Sequence, residues 1–184
     1  MPNDARLVVP KLNADPVWSL RPWPVILHLA GEDYEIPAMP AADWLAYLMQ
    51  PEPDFDGILD DYVPDIEELL VDGDVSLDEV YEMLLDLIAL VSSRPWWVAL
   101  RLIKVATQSW DVLGPDLIKR GIDAERHSIA AWLDVLLVSA LNSMEAKDTT
   151  MFLLKLEADP RKGASDPIDD MEMDRSAFLA MGMN

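Results

Sequence analysis

The chain of 184 residues has no cysteine. Disulfides, thiolate nucleophiles, iron–sulfur clusters and cysteine-ligated zinc are therefore excluded, and the composition fits a reducing cytoplasm. Glycine is scarce as well. The 7 glycines are scattered singly, so no Gly-rich loop is available to cradle a nucleotide phosphate. Positive charge is short: 14 Lys and Arg stand against 34 Asp and Glu, for a net charge of -20. A nucleic-acid binder needs cations to neutralise phosphates, and an anionic membrane surface recruits the same residues. Neither nucleic acid nor membrane is an expected partner. Long apolar runs are also missing. The most apolar stretch, Ile129 to Leu141, contains Asp134 and falls short of the roughly 20 residues that a membrane span needs. Met1 to Arg6 carries no apolar signal core.

What is present suits one domain with a real core, since 51% of residues are hydrophobic. The fold class expected is mainly α: a helical bundle-like domain with one N-terminal β-hairpin and an extended N-terminal arm. Residues 1–22, broken by Pro2, Pro10, Pro16 and Pro22, read as the arm. Residues 23–160 read as the domain. Val25 to Leu29, a turn over Ala30-Gly31-Glu32-Asp33, and Tyr34 to Ile36 read as the hairpin. A helix opens at Pro40 and is stopped by Pro51. Pro51 to Asp61, acidic and rich in turn residues, reads as a loop, and a short helix follows from Pro64 to Val71, stopped by Gly73.

Ser76-Leu77-Asp78-Glu79 is a capping box that opens a helix to about Val91. Its apolar face includes Leu77, Val80, Tyr81, Leu84, Leu87 and Ile88. Pro95 starts the next helix, which carries Trp96, Trp97 and Trp110 and is expected to break at Gly114-Pro115. Asp123 is expected to cap a long helix through Trp132 to Met144, and a last helix runs from about Asp148 to Leu156. Residues 161–184 read as a disordered acidic tail, with a small apolar patch at Ser176 to Met181.

Chemistry is thinly signalled. Asp60-Asp61, Glu67-Glu68 and Asp169-Asp170 are adjacent acids, but a glycosidase needs two carboxylates at a set separation across a cleft, and a solvated face explains them. Asp72 to Asp78 lacks the Gly and Glu that a calcium loop requires at its sixth and twelfth positions. His28 and His127 lie far apart in sequence, and Ser92, Ser128 and Ser139 sit in no nucleophile elbow. Asp134 is the one charge in the apolar helix, and a buried pair with Arg101 or Lys104 of the preceding helix is expected. Of the 7 tryptophans, Trp44, Trp96, Trp97, Trp110 and Trp132 fall in helices, while Trp18 and Trp23 sit in the Pro-rich arm as anchors on the domain or on a partner. No residue is assigned a catalytic, cofactor or metal role, no cofactor is expected, and no partner-binding residue is singled out.

Arg94-Pro95-Trp96-Trp97-Val98-Ala99-Leu100-Arg101-Leu102 followed by Trp110-Asp111-Val112-Leu113-Gly114 resembles the tail assembly chaperones of long-tailed, siphovirus-type phages of actinobacteria. So do Ala131 to Asp134, Lys147-Asp148, Phe152 to Leu156, and the hairpin followed by Ala42 to Leu45. The likeness extends from about Trp23 to Pro160. It implies a chaperone, similar to the lambdoid pair, that coats the tape measure protein while the tail tube polymerises. It further implies self-association, a longer frameshifted product as partner, contact with tail tube subunits, and action in the host cytoplasm rather than in the finished virion. This chain looks like the shorter, frameshift-independent product. The competing classes are a virion head–tail connector and a carboxylate-dependent hydrolase. An enzyme needs a pocket with convergent titratable groups, and a chaperone needs exposed apolar surface.

Overall fold

The computed structural model describes residues 6–8 and 24–161. The expected disordered tail from residue 162, most of the expected arm, Trp18, Trp23 and the Asp169-Asp170 pair lie outside the described residues. The domain is mainly helical, with a small β structure at its N-terminal side and eight α-helices among the described residues.

The hairpin joins β2 (Val25–Leu29) to β3 (Glu32–Ile36). Its turn is tighter than the sequence reading: Ala30 and Gly31 alone form it, with φ of 51° and 89°. Two consecutive residues at positive φ match the right-handed twist of the strands they join, and Glu32 and Asp33 are thereby released into β3. Pairing runs Val25 to Ile36, Leu27 to Tyr34 and Leu29 to Glu32. Strand alternation then sends Val25, Leu27, Leu29, Tyr34 and Ile36 into the core. The second edge of β2 is covered by β1 (Arg6–Val8), antiparallel, with Leu7 opposite Leu27. The reading of residues 1–22 as an arm is corrected at Arg6–Val8, which pair as a strand. A two-stranded hairpin is marginal in water, and the short Arg6-Leu7-Val8 run supplies the third strand.

Helix α1 (Ala41–Leu48) buries Ala41, Trp44, Leu45 and Leu48, one stripe at helical spacing. Its first two N–H groups donate across the fold to the carbonyls of His127, at 2.8 Å, and Ala124, at 2.9 Å. Tertiary structure thus satisfies an end that has no side-chain cap. The expected loop at Pro51 to Asp61 is instead largely helix α2 (Phe55–Tyr62). Phe55, Ile58, Leu59 and Tyr62 fall at i, i+3, i+4 and i+7, and Asp54 accepts from Gly57 N–H at 2.9 Å. A Cβ at residue 57 would stand 2.6 Å from the Asp54 carboxylate, which would have to shift to admit it.

Helix α3 (Ile66–Asp72) ends at Gly73 in the left-handed region, φ 74°. Helix α4 (Leu77–Ser92) opens on the expected capping box. The Ser76 hydroxyl accepts from Glu79 N–H at 3.3 Å, and the Glu79 carboxylate accepts from Ser76 N–H at 2.9 Å. The expected apolar face of this helix is corrected at its start, where Leu77 and Tyr81 are exposed.

Helix α5 (Trp96–Gln108) begins after Pro95 and stops at Ser109, earlier than Gly114-Pro115. The new helix α6 (Trp110–Lys119) passes straight through both residues. Gly114 makes room for the Trp110 indole, which a Cβ would meet at 2.9 Å. Helix α7 (Ile129–Asn142) packs against α1, α4, α5 and α6 and is the centre of the bundle. Its cap is Ser128, whose hydroxyl accepts from Ala131 N–H at 3.3 Å. Asp123 instead closes the preceding turn, accepting from Glu125 N–H at 3.0 Å. Helix α8 (Ala146–Glu157) lies on α5 through Phe152 and Leu156.

Candidate interaction surface

Asp134 is paired, but at the surface. Its carboxylate is exposed and is met by the Arg94 guanidinium, so the expected buried pair is corrected. Arg101 has a different task. It is 1% exposed and donates through one guanidinium nitrogen to the carbonyls of Lys155 (2.9 Å), Leu156 (3.1 Å) and Ala158 (2.6 Å). These oxygens belong to the C-terminal end of α8, where the partial negative charge of a helix accumulates. A buried cation there stabilises the helix end and clamps α8 to α5.

The other candidates for chemistry do not converge. Asp60 and Asp61 lie exposed on α2, and Glu67 and Glu68 lie exposed on α3. Asp61 accepts from the Tyr47 hydroxyl. That hydrogen bond, helped by burial, pushes the Tyr47 phenol well above its ordinary 10.0. His28 sits across the hairpin from Asp33, Nδ1 to carboxylate at 2.7 Å, and His127 Nδ1 lies 2.7 Å from the Asp123 carbonyl. Ser92 donates to the Ala89 and Arg94 carbonyls, and Ser128 caps α7. Among the described residues no group of three or more His, Asp and Glu is placed to hold a metal ion.

Apolar surface is more distinctive. Leu77 and Tyr81, 66% and 48% exposed, stand one turn apart on α4. The Tyr81 ring is held edge-on to Phe55 of α2, with centroids 5.4 Å apart. Val71 is exposed at the end of α3. A second set lies on α6 to α8: Trp110, Val112, Ile118, Val138, Met151 and Leu154. Trp110 stacks on the buried Trp132 at 6.3 Å and 22°, so a broad aromatic face is presented in one orientation. Trp96 packs edge-on to Trp97. The Arg161 guanidinium lies 5.9 Å over the Trp96 ring and pairs with Glu82 of α4.

Charge separates the two sets. From Pro24 to Ser93, covering the hairpin and α1 to α4, there are eighteen Asp and Glu and no Lys or Arg. From Arg94 to Arg161, covering α5 to α8, there are nine of each sign. The first apolar set therefore stands in a strongly negative field, and the second in a half of mixed sign, where the buried Arg101 adds no charge to the surface. Residue order alone carries this partition, and a running charge count would have found it. The exposure of Leu77 and Tyr81 has no such signal, because both continue the period of a helix whose later turns are buried.

No protein-family model matches the chain, and neither the curated proteins nor the solved structures contain a match to it.

Proposed function

We propose that this chain is a non-catalytic binding protein of the tail assembly chaperone kind, which keeps an elongated helical client, the tape measure protein, soluble. The observation that carries the reading is the exposed apolar and aromatic side chains on α4, α6, α7 and α8, among them Leu77, Tyr81, Trp110 and Leu154. A long helical client shows apolar faces to water before its tube encloses it, and a groove or face of this kind can cover an amphipathic helix. The net charge of -20 keeps the complex soluble by mutual repulsion. Self-association suits the α6 to α8 side, where five Lys and Arg stand against eight Asp and Glu from Trp110 to Glu157 and two copies repel less than two acidic halves would. The longer frameshifted product and tail tube subunits are further proposed partners, with the host cytoplasm as the place of action and no role in the finished virion.

The test is co-expression with the tape measure protein encoded beside it. The client is expected in the soluble fraction, bound to this chain in an apolar contact that survives moderate salt, which screens charges beyond about 8–10 Å. An insoluble client, together with a purified chain that is strictly monomeric and captures no part of it, overturns the reading.

A further inference from the structure

We propose, resting on the client-binding reading above, that the start of α4 is the docking face for a basic amphipathic helical segment of the partner. Leu77 and Tyr81 form an i, i+4 stripe that runs on into the buried Leu84 and Leu85. The stripe thus leaves the core at its first two turns rather than ending. It is also pre-organised. The capping box fixes the helix start, and Phe55 fixes the tyrosine ring. A face whose side chains are already held loses less freedom on binding.

Charge selects the occupant. Asp74, Asp78 and Glu82 flank the stripe along the chain, and no Lys or Arg occurs anywhere from Pro24 to Ser93. Arg161 reaches Glu82 from the far end of the domain, and the acids of α2 and α3 extend the negative field. A second copy would bring a second acidic half against the first. The chain's own residues 162–184 carry five Asp and Glu against Lys162 and Arg175, again the same sign. A helix with apolar residues at i, i+3, i+4 and i+7 and Lys or Arg on either side matches both the stripe and its surroundings.

The probe is a synthetic Leu/Lys amphipathic helix of about 18 residues, five turns long, titrated into the full chain beside a scrambled peptide of the same composition. The amphipathic peptide is expected to bind at least about tenfold tighter than the scramble. Combining Leu77→Ser with Tyr81→Ser leaves every charge in place and is expected to abolish that difference, while Gln108→Ser, at an exposed residue of α5, preserves it. Equal binding of the two peptides, or a double variant that binds like the parent, reduces the effect to unspecific Coulomb attraction and overturns the proposal. Combining Phe178→Ser with Leu179→Ser in the full chain is expected to change nothing. A rise in peptide affinity of about tenfold would make the chain's own C-terminal segment the occupant and also overturn it. If the peptides fail while the chain still keeps the tape measure protein soluble, the docking face is wrong and the client-binding reading stands. If the client is not held at all, that reading falls.

Discussion

The two halves of this domain share one core but solve opposite electrostatic problems. The hairpin and α1 to α4 carry only negative formal charge, and their polar contacts are made without Lys or Arg of their own: a capping box, an Asp54 cap, a tyrosine on a carboxylate. The half from α5 to α8 mixes both signs and ties its elements together with ions: Arg101 on the end of α8 and Arg94 on Asp134 of α7, while Arg120 pairs with Asp116 within α6 at 2.7 Å. Arg161 then crosses back to Glu82. The acidic half has no Lys or Arg of its own with which to form ion pairs. It depends on apolar burial against α5 and α7 and keeps its charge for the surface.

The largest expected effect follows from the buried cation. Arg101→Ala strips the α8 carbonyls of a charged donor and leaves space in the core, and should cost about 3–5 kcal/mol, read as a lowered urea midpoint. Asp134→Asn, by contrast, touches an exposed pair and should cost less than about 1 kcal/mol. Equal losses at the two sites would erase the distinction between buried and surface cations.

Next in size is the helix start of the acidic half. Ser76→Ala should cost about 1 kcal/mol. Hydrogen bonds from Ser76 hold the Glu79 carboxyl below its ordinary 4.5. The unfolded chain therefore takes up that proton first, so this contribution is complete above the ordinary value and is lost as pH falls through the folded one. The variant should flatten the acid limb of the stability profile. At the alkaline end the sign reverses. Tyr47 has a raised pKa, so its contribution is complete below about 10 and is lost as pH rises further. Tyr47→Phe should remove that alkaline loss, as followed by thermal melts.

A smaller effect tests the self-repulsion of the acidic half. Raising salt at neutral pH should raise the melting temperature, because screening relieves like charges more than it weakens the few surface pairs. Smallest is the hairpin turn. Ala30 is a non-glycine residue at φ 51°, and Ala30→Asn should stabilise by at most about 1 kcal/mol.

Much of this fold was legible in the sequence where local chemistry decides the outcome. The capping box at Ser76, the stop at Gly73, the hairpin and the buried faces of α1 and α7 follow from short-range rules. The errors arose where partners distant in sequence decide. Helix α2 was hidden because its acids and turn formers outweighed four apolar residues whose burial depends on the bundle. Gly114-Pro115 reads as a break, but α6 needs Gly114 to seat Trp110. Arg101 reads as a partner for Asp134, while its acceptors are backbone oxygens more than fifty residues on. β1 was legible only as a short apolar run, since strand identity came from the open edge of β2. Of the candidate surface, the charge division was in the sequence, whereas the emergence of Leu77 and Tyr81 from the core was set by how α4 packs.

In the proposed function, the chain covers an elongated helical partner with its exposed apolar side chains. Amide hydrogen exchange on the full chain, free and in the soluble complex with the tape measure protein, tests it most directly. New protection is expected at the first turns of α4 and in α6 to α8. A complex that leaves exchange in every helix unchanged, or a chain that forms no complex, would contradict it.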